Sequence, residues 1–479
     1  MNIILKSFDG PLHTRIATSA FQGCAIDTCI YIANFNEYKP KINAKKMQWM
    51  PAAPLLEGRY PDIDWNTMIP LDEELIENMY SCEMRFFYMV ERYAKHSVLS
   101  YRDRKRQYLD HLRFWNHTLE HENIDLCVMN HAPHQAYDLV LYELCKLKGI
   151  PIFHLERCYS VEGVLVAEDF EKSDEKILTT FTKLKEEYAD PEKEILLSPS
   201  YEECFNQETA EKDEAPWHAL SPEKHMTKKG FLTKWSGKSM GLLRHKPWKF
   251  ICAVLSPSTW ARKLTQHRTV LLYDKLSSQP DLSVPYIYAP LQAQPEEGVS
   301  PRAGAFENQE LIIQMIAACA PSGVRIYVKD HPNQGEMYRN EEFYRSMARI
   351  PSVTIVPKSF DTFQLIRNSK AVATATGTAG FEALFREKPF IMFGHRWCQY
   401  APGVHIVRTT EDCQKAMMNI FEKGEKPSLR ELRLYLKAIE ECSVPFEGGP
   451  TVPGQPSPEE RAKEVGAILN KKLAPLFAN

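Results

Sequence analysis

The sequence predicts an α/β protein of two domains, each a mostly parallel sheet layered with helices. Three observations predict it. The chain has 479 residues, too many for one compact core and suited to two domains of about 200 residues. Strand-like apolar runs alternate with helix-like segments in both halves, the pattern of parallel sheets. Several runs end in polar or glycine-rich corners, where open α/β sheets bind ligands.

In the first half, Met1–Phe8 and Ala25–Asn34 read as strands, and Glu83–Tyr93 and Arg102–Leu119 as helices of good helix formers. Ile124–Met129 is a buried-strand run ending in Asn130-His131-Ala132-Pro133-His134. A helix from Tyr137 to Lys148 follows, with Leu139, Val140, Leu144 and Leu147 at helical spacing and Gly149 as its stop. Pro151–Leu155 is the next strand, which completes a βαβ unit.

Glu168–Glu214 carries sixteen acids against six lysines. It reads as solvated helices and loops inserted at the surface. Lys224–Arg268 then holds eleven Lys or Arg and no acid, with Trp235, Trp248, Phe250 and Trp260 interleaved. That composition suits either a helical connector facing the acidic region or a surface that meets an anionic lipid or glycan.

The second half opens with strand-like Val270–Tyr273 and Tyr286–Ala289. Phe306–Ala320, Glu341–Arg349, Phe360–Asn368 and Gly380–Phe385 alternate as helices with the strands Val324–Val328, Val353–Val356, Ala371–Ala375 and Pro389–Phe393. A last helix runs from Pro458 to Leu473, with Ser457 as N-cap and proline at the first position. The expected division is a first domain over 1–270 with a charged insertion over about 160–268, a nucleotide-type domain over 271–454, and a terminal helix over 455–479.

Composition excludes several classes. Apolar residues make up 44% and charged residues 25%, as in ordinary globular proteins. A net charge of −3 argues against bulk nucleic-acid binding. No run approaches the roughly 18 apolar residues of a membrane helix. The first residues lack the basic start and longer apolar core of a secretion signal, so a cytosolic location is expected. Twelve cysteines include no CxxC pair, which points to reduced, buried thiols.

The corners carry the chemistry. Lys329-Asp330-His331-Pro332 follows a strand, and Pro332 drives His331 toward extended backbone. From there His331 can donate to a phosphate oxygen and Lys329 can add charge. Thr376-Gly377-Thr378-Ala379-Gly380 follows another strand and starts a helix, an arrangement that can offer amides and hydroxyls to an anion. Its spacing is not that of a dinucleotide fingerprint. Glu382 can accept from a ribose or compensate the helix dipole. Gln294 and Glu296, in the loop after Tyr286–Pro290, can face the domain junction, where Glu296 can take part in acid–base work. In the first half His131, His134, Glu156 and Asp9 are candidate bases for an acceptor hydroxyl, with Asp138 four residues past His134 to orient it.

In the order LQAQPE, KDHP, TGTAGFEAL and KPFIMFG, the stretch Tyr286–Gly394 resembles bacterial capsular and surface polysaccharide biosynthesis proteins. Asp125–Pro151 resembles their first domain more loosely. The best-described members are Kdo transferases with a GT-B fold, in which two Rossmann-like domains face across a cleft, and a CMP-sugar donor. The resemblance implies that His331 contacts the donor phosphate, that Thr376–Gly380 holds the nucleotide, and that Gln294 and Glu296 stand near the nucleotide or reacting sugar. Sialyltransferases and glycerophosphate polymerases with CMP or CDP donors also resemble this chain in their His-Pro. The Gln-Pro-Glu here departs from the Kdo enzymes in its surroundings, which bears on the donor sugar more than on the fold.

The expectation is therefore a cytosolic glycosyltransferase that transfers a sugar, CMP-linked, to a glycan or lipid-linked acceptor. It needs no cofactor or metal, and 224–268 is a possible inner-membrane contact. A CDP-alditol phosphotransferase and a polysaccharide binding or export protein without turnover are the competing readings.

Overall fold

The computed structural model describes residues 1–61, 63–90, 99–158, 160–210, 257–294, 296–332, 334, 339–448 and 455–477. Most of the basic, aromatic stretch singled out above lies outside them.

Two sheets organise the chain. The first takes β1 (Asn2–Lys6), β2 (Ile26–Ala33), β3 (Ala44–Pro51), β4 (Leu126–Met129), β5 (Ile152–Cys158) and β6 (Gly163–Ala167). The second takes β7 (Tyr286–Pro290), β8 (Arg325–Lys329), β9 (Val353–Val356), β10 (Ala371–Thr374), β11 (Phe390–Met392) and β12 (Val404–Ile406), and β13 (Val444–Pro445) returns to the first. The first sheet is ordered β13-β6-β5-β4-β1-β2-β3. The five strands from β5 through β4, β1 and β2 to the edge strand β3 are parallel, and β6 and β13 add antiparallel pairings at the opposite edge. The second is ordered β12-β11-β10-β7-β8-β9 and is parallel throughout. Each is thus Rossmann-like, with the strand order reversing between β1 and β4 in one and between β7 and β10 in the other. Outside the carboxyl ends of those pairs an open sheet leaves a crevice.

Burial explains the near-continuous apolar strands. Helices cover both faces, so β1 is buried along Ile3, Ile4 and Leu5 and β4 along all four residues. One face of the first sheet packs against helices Tyr80–Val90, Tyr101–His121 and Tyr137–Leu147. The other packs against Pro11–Ala20 and the last helix, Pro458–Phe477. Gly466 permits that helix pair to close: a Cβ there would lie 2.5 Å from the carbonyl oxygen of Ile16. The first domain therefore draws on both ends of the chain.

Strands β3, β6 and β12 were not read from the sequence, and β6, part of the first sheet, lies inside the stretch expected as an insertion over about 160–268; two segments that were read also differ. Val270–Tyr273 is no strand; it is part of helix Pro257–Leu276. Thr269, Leu272 and Tyr273 are buried there with Leu276 half-buried, which is a helical spacing that a four-residue apolar run conceals. The acid-rich segment is not only a surface elaboration. Helices Lys176–Glu187 and Pro199–Thr209 turn Ile177, Phe181, Leu184 and Tyr201 into a core shared with Phe381, Phe385, Phe390 and Tyr435 of the second half. Glu186, Glu187 and Glu203 lie on the solvent side of these helices, while Glu202 and Glu208 pair with Arg433 and Arg386 of the second half. No helix among the described residues is long and apolar enough to cross a membrane.

Candidate functional site at the facing sheet edges

The first-sheet crevice is built around a buried lysine. Lys6 ends β1 and is fully shielded from solvent, with its Nζ 2.5 Å from Asp138 Oδ2 and 3.3–3.4 Å from the ring nitrogens of His131. Burial pulls the Lys6 ammonium down from its ordinary range, and Asp138 opposes this. Asp138, in the first turn of helix Tyr137–Leu147, also accepts from the backbone N–H of Gln135 at 2.7 Å and of His134 at 3.3 Å. Its expected hold on the His134 ring is thus a hold on the His134 backbone. Asp9 is likewise engaged structurally, accepting from the backbone and side-chain nitrogens of Asn34 at 2.9 and 3.0 Å.

His131 and His134 pack with ring centroids 4.2 Å apart and planes tilted by 53°, each with Nδ1 3.0 Å from the carbonyl oxygen of Ala132. A carbonyl only accepts, so in the neutral rings Nδ1 carries the proton and Nε2 is left basic. Burial, then the Lys6 charge, hold His131 well below the usual histidine range. His134 is lowered by burial as well, against an upward pull from Glu297. Potential ligand atoms of His131, His134 and Asp138 lie within 4.8 Å of one another, a spacing that could serve a cation. The Lys6 ammonium already stands among them.

The second-sheet edge carries the nucleotide-side residues. Val372 and Tyr327 are both level with Tyr288 of β7 in the register. Thr376 and His331 each lie four residues further on, so they emerge at the same edge with the β7 exit between them. The strands they follow, β10 and β8, are two strand spacings apart, about 10 Å. His331 is half-buried; burial lowers its pKa, Glu296 pulls it up, and Lys358 and Lys329 push it down. Pro332 beside it is also half-buried.

Several predicted contacts serve the protein itself. Lys329 Nζ donates to the Phe360 carbonyl at 2.6 Å and to Thr362 Oγ1 at 2.7 Å, so much of its donor capacity holds the turn before helix Thr362–Asn368. Gln294 donates from Nε2 to the Glu307 carbonyl at 2.9 Å and from its backbone to Gln334 Oε1 at 2.8 Å. Thr376 is buried: its N–H donates to Gln292 Oε1 at 2.7 Å and its hydroxyl to the Gly298 carbonyl at 2.6 Å. A Cβ on Gly380 would lie 2.4 Å from the Phe390 ring, so this glycine answers to helix–sheet packing. Gly377 caps the seven-residue helix Thr378–Leu384, in which Glu382 is buried. The corner is thus wired through Gln292, which the sequence reading passed over in favour of Gln294.

Between the edges runs a charged chain of contacts that crosses the domains. Arg302 is buried and reaches Glu156 Oε1 at 3.0 Å with Nη1 and Glu297 Oε1 at 2.8 Å with Nε. Ser173 donates to the other Glu156 oxygen at 2.6 Å. Glu156 therefore has both oxygens engaged in a closed interior and acts as a clamp, in contrast to the base expected from its place at a strand end. Glu297 Oε2 lies 4.0 Å from His134 Nδ1. Burial pushes the Glu297 carboxyl up, but Arg302 and His134 outweigh it and hold it down to about 2. Glu296, its exposed neighbour, exerts its charge on His331 instead. Arg396 donates to the Thr376 carbonyl at 3.0 Å. Lys6, Glu297, Arg302 and Arg396 were not singled out from sequence; only Lys6, a charge closing an apolar strand run, left a local signal.

Two outcomes follow. Lys6→Met leaves Asp138 buried without its cation and lowers stability by about 3–5 kcal/mol. Denaturant unfolding of the two proteins measures the loss. Arg302→Ala costs a similar amount, about 3–5 kcal/mol. Adding Glu156→Ala recovers part of that cost, which a double-mutant cycle reads.

No curated protein matches the sequence. Among solved structures, similar folds include the UDP-GlcNAc 2-epimerase of Methanocaldococcus jannaschii, at 11% identity, 92% coverage of this chain, 98% of that chain and a TM-score of 0.27. The KpsC β-Kdo 2,7 transferase of Thermosulfurimonas dismutans is 10% identical, with 75% and 96% coverage and a TM-score of 0.26. Its β-Kdo 2,4 transferase is 14% identical, with 66% and 80% coverage and a TM-score of 0.26. At these TM-scores the likeness carries no argument, and the fold is read from the strand order of the two sheets. Residues 259–421, which hold the whole second sheet, match the family of capsule polysaccharide biosynthesis proteins, and the resemblance carried by Tyr286–Gly394 is borne out.

Proposed function

We propose that this protein is a glycosyltransferase of capsular or surface polysaccharide assembly. The observation that carries the reading is the convergence of two Rossmann-type crevices on one interdomain network, His134–Glu297–Arg302–Glu156. The family match over the second sheet supports it. The donor is a nucleotide sugar, CMP-linked, seated at the second-sheet edge. There His331 and Pro332 lie on one side of the β7 exit and Thr376, Gly377, Thr378, Gly380 and Glu382 on the other, with Gln294 between. The acceptor is a glycan or lipid-linked hydroxyl presented at the first-sheet edge beside His131 and His134.

In the transfer step His134 Nε2 takes the acceptor proton. The oxygen attacks the anomeric carbon, and the bond from that carbon to the phosphate oxygen breaks with its electron pair leaving on the nucleotide. His134 suits this role better than His131 because 24% of its side chain stays open, while His131 is pinned against Lys6. His331 and Arg396 meet the developing phosphate charge, backed by Lys329, in a crevice where preorganised donors act more strongly than in water. Glu296 orients His331 or the donor sugar. Protein cations serve here in place of a metal, and the protein works at the cytoplasmic face of the membrane that carries its acceptor.

His331→Ala tests this directly. The expected result is a loss of nucleotide release from CMP-sugars of about 100-fold or more, with the melting temperature of the free protein within about 2 °C of the parent. CMP or CDP should raise the parent's melting temperature by mass action and leave the variant's unchanged. Full turnover by the variant, or the same nucleotide response in both proteins, contradicts the assignment.

A further inference from the structure

His134 and Glu297 come from different domains, and their meeting has a chemical meaning beyond the proposed reaction class. We propose that Glu297 is the positioning carboxylate of His134, delivered across the cleft by Arg302, so that the acceptor-side base is complete only while the two sheet edges are held together. This rests on the transferase reading for its catalytic consequence, though the pairing itself stands on geometry.

Glu297 Oε2 is 4.0 Å from His134 Nδ1, the nitrogen that also faces the Ala132 carbonyl at 3.0 Å. The Ala132 carbonyl keeps Nδ1 protonated and leaves Nε2 basic, and the Glu297 carboxylate, acting through its charge from 4.0 Å, stabilises the imidazolium that forms when Nε2 takes a proton. The carboxylate is fixed in turn, since Arg302 Nε holds Glu297 Oε1 at 2.8 Å while its Nη1 is anchored on Glu156 of the first domain at 3.0 Å. The neighbouring Glu296 is exposed, and its charge pulls the His331 pKa up, so the two adjacent glutamates act on different histidines. Among the described residues, the charged and titratable groups facing His134 include Lys6 from β1, His131 from its own loop, Asp138 from helix Tyr137–Leu147, and Glu297 with Arg302 behind it. Lys6 and Asp138 are paired with each other at 2.5 Å within the first domain, whereas Glu297 comes from the second and is a group that a domain movement would add or remove.

The test is the titration of His134, followed by NMR of histidine-labelled protein with a His134→Asn variant assigning its signal. Glu297 raises the His134 pKa, so Glu297→Gln should lower the midpoint by at least about half a unit, the scale of one partly screened charge near 4 Å. Glu296→Gln should leave that midpoint in place and lower that of His331. With a CMP-sugar that the parent turns over, Glu297→Gln should also cut kcat about 10-fold or more, with the donor KM within about twofold and the acid limb of kcat/KM moved to lower pH. A purely structural role moves stability without moving the midpoint. An unchanged His134 midpoint in Glu297→Gln overturns the proposal. A shifted midpoint in a protein that turns over no nucleotide sugar upholds the pairing and sinks the transferase reading. Should Glu297→Gln fail to fold, Glu297→Asp must give a smaller shift in the same direction, and its absence overturns the proposal equally.

Discussion

A guanidinium closed off from water must find acceptors, and Arg302 finds them in both domains. It binds Glu297 beside its own sheet and Glu156 within β5 of the other, with the Phe170 carbonyl at 3.4 Å. Taking these charges out of water is costly unless all are paired, so the pairing fixes the separation of the two sheet edges. Neighbouring contacts reinforce it: His395 and Gln399 each lie 3.0 Å from the Glu171 carbonyl, and Tyr400 donates to the Lys172 carbonyl at 2.7 Å. The site geometry on both walls depends on this joint.

The first-sheet crevice shows how burial and charge set a histidine's state. His131 and His134 sit beside a lysine that is itself paired, so neither ring is compelled to hold a proton. Desolvation drives both toward the neutral form. Glu297 works against that on His134 alone. Two adjacent histidines thus reach different environments, one pinned on Lys6 and one turned toward the cleft.

Much of the fold was legible because its elements are local. The run Ile124–Met129, the Leu139–Leu147 periodicity and the glycine stop at Gly149 each specify structure within a dozen residues, and the parallel order follows from their alternation. Val270–Tyr273 was misread because four apolar residues satisfy either period. The packing of Ile177, Phe181 and Tyr201 against the second half was hidden because their acidic neighbours dominate the composition. In the site, His331 and Thr376 were legible as strand ends. What those residues bond to was not: Gln292, Glu297, Arg302 and Glu156 meet across up to 146 positions of sequence, and no local pattern encodes such contacts. Thr376 and Gly380 look like an anion cradle in sequence, and the structure employs them largely to close the corner.

The central claim is that a nucleotide seats at the carboxyl edge of the second sheet, in the cleft that His134 faces. Amide hydrogen exchange with and without CMP tests it most directly. The account predicts slowed exchange in peptides covering 291–298, 329–332 and 374–382, with the outer strand β3 unchanged. Protection confined to the first sheet or to distant surfaces, with those three peptides unaffected while CMP is bound, would contradict it.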